Sequence, residues 1–157
     1  GGGHERGYRS GTLPVPQIVG LGKAIELCLN TKDEENQRLK ILRDLMLRSI
    51  QEVHPDVILN GSLEQRLVHN LNLCFPGIEA ESIIMKMKTV ACSTGSACSS
   101  ANLEPSHVIK AIGRDSEIAH SAIRFSLGRF TTKDEIHFAI QEINHTVSAL
   151  KKRSRGY

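Results

Sequence analysis

"AIRFSLGRFTTKDEI", residues 122–136, changes its period half-way. Ile123, Phe125 and Leu127 alternate with Arg124 and Ser126, the repeat of a strand that buries one face. Thr132 and Glu135 then stand at the spacing of a capping box, and Ile136, Ile140, Ile143, Val147 and Leu150 follow at helical spacing. A strand leading into an amphipathic helix points to a sheet covered by helices. The same stretch sets Arg124 outward on a strand whose other face is apolar. A guanidinium there can grip a carboxylate with two parallel hydrogen bonds, or it can be a structural surface ion pair.

Outward from this stretch the pattern repeats. Residues 70–75, Asn-Leu-Asn-Leu-Cys-Phe, read as a strand with Leu71, Leu73 and Phe75 inward. A short strand at 57–59 ends in the turn dipeptide Asn60-Gly61, and 89–92 read as a further strand. Helices are expected at 79–88, with Ile83, Ile84 and Met87 on its face, and at 105–112, closed by Gly113. Leu39, Leu42, Leu45, Met46, Ile50 and Val53 mark a helix that stops before Pro55. Pro16 opens an earlier helix carrying Ile18, Leu21, Ile25 and Leu29, and the polar run 31–35 is read as the break between the two. The fold class is therefore α+β, within the broad α/β class: a short mixed or antiparallel sheet with helices packed on it.

The chain has 157 residues, enough for one real core, and only 4% of them are aromatic, so that core rests on Leu, Ile, Val and Met. A net charge of +3, spread along the chain, is too mild to argue for nucleic acid. The basic run Lys151, Lys152, Arg153 and Arg155 reads as a solvated terminus. No apolar run reaches the ~20 residues of a membrane helix; the longest, 18–29, holds Lys23 and Glu26. The opening Gly-Gly-Gly-His-Glu-Arg has no Met and no apolar leader, and reads as the interior of a longer protein. The four cysteines form no CxxC pair, which fits a reducing compartment. Cys28 and Cys74 sit in apolar patterns and are expected to be buried core thiols.

Three features carry chemistry. In "VACSTGSACSSANLEPS", residues 90–106, Cys98 lies among small polar residues with little to build a core. Such a cysteine is either a tolerated free thiol or a nucleophile on a pliable loop, and the helix expected after Pro105 favours thiolate. A rhodanese-like site would place cations directly after the cysteine, and none follows Cys98 before residue 105. A zinc site would need Cys92, Cys98 and a distant histidine, without any HxxxH or HExxH arrangement to support it. The second feature is Arg124. The third is the opening loop "GGGHERGYRSGT", residues 1–12, whose backbone N–H groups, cations and Thr12 hydroxyl suit a phosphate, although it lacks the P-loop and dinucleotide spacings.

Together these stretches carry a resemblance. "GGGHERGYRSGTLPVPQIVGLGKA", "STGSACSSANLEPSHVIKAIG" and "HSAIRFSLGRFTTKDEI" resemble the C-terminal portion of the pyridoxal-phosphate-dependent cysteine desulfurases of the iron–sulfur cluster assembly type, in the class-V aminotransferase-like family. The resemblance covers residues 1 to about 150. It implies an aminotransferase-like fold, with residues 1–30 ending the large cofactor-binding domain and 31–157 forming the small C-terminal domain with the Cys98 loop. It implies removal of sulfur from L-cysteine to give L-alanine and a persulfide on Cys98, handed to an iron–sulfur scaffold or another acceptor. Cys98 matches the persulfide-forming cysteine, and through the persulfide it would be a transient ligand of a [2Fe-2S] cluster. Arg124 matches the arginine that holds the substrate carboxylate. Thr12 matches the threonine that reaches the cofactor phosphate of the other subunit of a homodimer. The implied location is the cytoplasm of a bacterium or a mitochondrial matrix, without membrane or nucleic-acid partners.

The match has departures. The family's cofactor-binding lysine lies upstream of "GGGHERG", and none of the nine lysines here sits in its motif. The chain ends "ALKKRSRGY", where the family continues into a longer tail that helps to dock the scaffold. Cys92 stands where the family has Ser; it reads as a buried strand thiol, or as a thiol that diverts sulfur into a disulfide with Cys98 or a second persulfide. The piece alone is expected to lack turnover, because nothing in it anchors the cofactor. The alternative reading is a non-catalytic module that accepts sulfur on Cys98 or pairs with a separate lysine-bearing half.

Overall fold

The alternation at 70–75 and 122–127 becomes the centre of an antiparallel sheet. The structure, a computed structural model, describes residues 2–94 and 105–154. In chain order it contains a 3-10 turn at Glu5–Gly7, α1 (Val15–Val53), β1 (Ile58–Leu59), β2 (Asn70–Cys74), α2 (Ala80–Lys86), β3 (Ser93–Thr94), α3 (His107–Ala111), α4 (Ser116–His120), β4 (Ala122–Ser126) and α5 (Lys133–Ser154). Strand order is β1-β2-β4-β3, and each described pairing is antiparallel. The α+β reading holds, with an antiparallel sheet. Two compact units are distinguished, Gly1–Glu35 and Asn36–Tyr157, and the sheet belongs to the second.

Register sorts the side chains. Leu71 stands opposite Phe125 and Leu73 opposite Ile123, so these four share one face. That face packs against Leu39, Leu42, Met46 and Ile50 of α1 and against Ile136, Ile140, Ile143 and Val147 of α5, with Ile83 of α2 joining them. Leu71, Leu73, Ile123 and Ile143 are 0% exposed, so this cluster is the centre of the unit. Burying each such side chain is worth about 2 kcal/mol. On the opposite face, Cys74 and Ala122 form a smaller cluster with Ile109 of α3 and Ala119 of α4. The short helices thus cover only one end of that second face.

Local chemistry sets the element ends. Thr132 Oγ1 accepts from Glu135 N at 3.2 Å, while Glu135 Oε2 accepts from Thr132 N at 2.7 Å, so the capping box opens α5 as read. Gly113, at φ 91°, closes α3. The turn between β4 and α5 is tied to α1: the Arg38 guanidinium donates to Thr131 O at 2.6 Å and to Arg129 O at 2.7 Å.

Four readings need correction. The break at 31–35 is absent, and α1 runs unbroken from Val15 to Val53. Residues 31–35 contain no Gly or Pro, and their Lys and Glu residues are good helix formers. Polarity all round stops a turn from burying a face; it does not stop its backbone bonds. Cys28 is exposed, because no residue of α1 before Leu39 is buried; Cys74 is buried as expected. The third sequence strand lies at Ser93–Thr94 rather than at 89–92, since pairing with β4 begins only there, although Val90 and Cys92 still pack against the core. Helix α4 was not foreseen; Asp115 caps it, its side chain accepting from Ile118 N at 2.8 Å.

Candidate active site

Arg124 lies at the middle of β4, and register decides its surroundings. Its partner on β2 is Asn72 and its partner on β3 is Ser93. Cross-strand partners share a face, so Ser93, Arg124 and Asn72 form a polar row across three strands. The row extends to a fourth residue: Asn60 follows β1, its N–H donates to Asn72 O, and its Nδ2 donates to Asn72 Oδ1 at 2.7 Å. Arg124 is exposed, and among the described residues its guanidinium takes no hydrogen bond or ion pair. The row lies beyond the part of this face that Ile109 and Ala119 cover. A charged fork facing outward from a flat polar row is built to receive an anion with two parallel acceptors.

Behind the row sits a buried network. Asn60 is 4% exposed, so its polar atoms must be satisfied internally. Its Nδ2 also donates to Cys74 Sγ at 3.0 Å, and its Oδ1 accepts from Arg114 Nε at 3.0 Å. Arg114 further donates to Leu59 O at 2.9 Å. Arg66 holds the loop after Asn60 through the carbonyls of Ser62 and Asn60; burial, then the charge of Arg43, lowers its pKa. Sequence reading missed Asn72, Asn60 and Arg114. A signal for the first was present: two asparagines, disfavoured in strands, alternate outward in "NLNLC".

Neither of the other two sequence candidates is among the described residues of the second unit. Thr12 belongs to the first unit, exposed, with its carbonyl accepting from Arg9 at 3.1 Å. The loop before it contains Glu5 and Arg6 at φ 51° and 56° and Gly7 at 83°, three successive left-handed residues of which two are not glycine. Such backbone costs energy and gathers at ligand sites. Cys98 lies outside the described residues. Cys92, next to β3, is half-buried, and burial pushes its thiol pKa up, which disfavours the thiolate. Among the described residues no cluster of His, Cys, Asp and Glu could hold a metal ion, and no helix is long and apolar enough to cross a membrane. An open cleft of about 330 Å³ lies beyond Ser126, between the start of α5 and residues 89–91; it is mostly apolar and does not include Arg124.

This geometry can be set beside known proteins. A family model described as aminotransferase class V matches residues 3–138, most of the chain. The chain belongs to the class-V aminotransferase family. Within that family it is similar to "Cysteine desulfurase IscS" of Dechloromonas aromatica (strain RCB), with 53% identity over 154 residues, covering 98% of this chain and 38% of the relative. The protein of the same name from Methylobacillus flagellatus is 52% identical over the same shares. Among solved structures, one described as a NifS-like protein superposes with a TM-score of 0.81 at 30% identity, over 94% of this chain and 38% of that one. A NifS-like protein from Rickettsia africae gives a TM-score of 0.78 at 25% identity, over 94% of this chain and 39% of that one. This class-V chain thus spans about two fifths of the length of the relatives it matches.

Proposed function

We propose that this chain is part of a pyridoxal-phosphate-dependent cysteine desulfurase, supplying its grip on the substrate carboxylate and its sulfur-accepting thiol. Residues 1–30 would end the large cofactor-binding domain, and 31–157 would form the small C-terminal domain. The observation that carries this reading is Arg124: an outward guanidinium in a polar row, unpaired among the described residues, in a chain 53% identical to a cysteine desulfurase over 98% of its length. Arg124 binds the carboxylate of L-cysteine as a bidentate pair. The Cys98 thiolate attacks the substrate sulfur. An S–S bond forms as the C–S bond breaks, and the C–S electron pair stays on the substrate carbon, which takes a proton to become L-alanine. The persulfide on Cys98 then passes its sulfur to an iron–sulfur scaffold or another acceptor. β3 supports this assignment: Ser93 pairs with Arg124, and Cys98 follows Thr94 by four residues in sequence.

The residues present fit one end of the cofactor. Thr12, His4 and the exposed cations of the opening loop, Arg6 and Arg9, would hold its phosphate, in a homodimer that of the other subunit. No lysine here stands in the family's anchoring motif. Pyridoxal phosphate, when bound, supplies the electron sink that the protein lacks. The reducing compartment inferred from cysteine usage, bacterial cytoplasm or mitochondrial matrix, suits a persulfide carrier. The test is mass spectrometry of the Cys98 peptide after one turnover of the holoenzyme with L-cysteine, beside the purified 157-residue chain treated with pyridoxal phosphate. A persulfide on Cys98 with equimolar L-alanine is expected from the holoenzyme, and neither from the chain alone. Alanine release with no sulfur on Cys98 would sink the role of Cys98. Sulfur accepted by Cys98 only from a separate active desulfurase would favour the acceptor module.

A further inference from the structure

We infer that Asn72 is a second ligand of the carboxylate that Arg124 holds, and that Arg114 and Asn60 are positioning residues that decide which end of the Asn72 amide faces it. The inference rests on the proposed role of Arg124 and deepens it.

The argument follows the direction of each hydrogen bond. An arginine guanidinium carries donors only. Arg114 Nε bonds Asn60 at 3.0 Å, so the atom it meets must be the acceptor, Oδ1. That fixes the other end of the Asn60 amide as Nδ2, which can only donate. It meets Asn72 at 2.7 Å, so Asn72 must present Oδ1 to it. The Asn72 Nδ2 group is therefore left as a pair of donors, and among the described residues it has no partner. Asn60 is only 4% exposed and cannot turn over to relax the chain of bonds, because its Nδ2 would then face the Arg114 donor; as it stands, Cys74 Sγ takes its second Nδ2 proton. An amide whose orientation is ordinarily ambiguous is here fixed by an arginine two hydrogen bonds away.

The donors have one place to act. Asn72 and Arg124 are direct cross-strand partners on the same face. A carboxylate offers about four lone-pair sites, of which a bidentate guanidinium takes two. The other neighbour of Arg124 cannot fill the rest: Ser93 has one hydroxyl proton and donates it to Thr94 O at 2.8 Å. Asn72 is the flanking side chain with protons to give. Asparagine is disfavoured in a strand, and this one gains its place by facing a ligand rather than a core.

Competition kinetics on the holoenzyme test this. Inhibition constants are measured for L-alanine and for ethylamine, the same molecule without its carboxylate, in the wild type and in Asn72→Ala, Asn60→Asp and Arg124→Ala. Asn72→Ala is expected to weaken L-alanine about tenfold and to leave ethylamine within twofold. Asn60→Asp keeps the bond from Arg114 but offers Asn72 only an acceptor; the Asn72 amide then turns, and L-alanine weakens without any change at Asn72. If Asn60→Asp does not fold, Asn72→Asp gives the same readout. An unchanged L-alanine constant in Asn72→Ala, with a weakened one in Arg124→Ala, overturns this inference alone. Equal weakening of both inhibitors also overturns it, because Asn72 would then serve only the fold. No effect of Arg124→Ala overturns the underlying reading of Arg124 first.

Discussion

At the scale of single residues, burial decides which charges can be tolerated. His54, just after α1, is 4% exposed, and among the described residues its Nε2 has no partner. Burial holds its pKa below the ordinary histidine value, and the charge of Lys151 from α5 adds to this; the Asn144 carbonyl and Asp56 pull the other way and lose. Protonation therefore favours the unfolded chain. The stability this histidine contributes is present above about pH 6.5, the ordinary value, and is lost as pH falls toward its folded value. Urea midpoints should drop between pH 7.5 and pH 5.5, and His54→Gln should flatten that slope. A variant with the wild-type slope would place the effect elsewhere. Asp56 does not confuse the window: burial raises its pKa, but the hydrogen bond and charge of Lys151 outweigh burial, so it titrates below the ordinary carboxylate range.

At the scale of elements, the sequence was legible wherever one face is buried. β2 and β4 were read with their inward residues correct, because alternation with period two survives even in a five-residue strand. The capping box at Thr132 was read for the same reason: its signal is local and complete. Thr132→Ala should therefore fray the start of α5 and cost about 1 kcal/mol, measured by chemical denaturation, with Ser restoring most of it. No loss would mean that packing of Ile136 and Ile140 alone sets the helix start. What failed was reading a helix by its apolar face. α1 crosses 31–35 on backbone bonds and helix-forming residues alone, so hydrophobic spacing falls silent there while the helix continues. α4 is too short for any period to show. The site was half legible: Arg124 announces itself as a charge in an apolar strand, but the network behind Asn72 joins residues from three separate stretches and leaves no mark in linear order.

At the scale of the whole molecule, sequence distance matters more than spatial distance. Arg38 and Thr131 bond directly although they are 93 positions apart, and Arg38 to Arg129 spans 91. Removing the guanidinium in Arg38→Ala should destabilise by about 2 kcal/mol and mainly speed unfolding, read from the unfolding arm of a chevron. An unchanged unfolding rate would mean that the turn before α5 stands without it. The same clamp bears on how the protein is made. A ribosome releases Arg38 some ninety residues before the carbonyls it must meet, at roughly 5–20 residues per second. For those seconds Leu39, Leu42, Met46 and Ile50 have neither sheet nor α5 to cover them. This unit is thus most exposed to aggregation before α5 is made, and a chaperone that binds apolar helices would find its target before the strand bearing Arg124 exists.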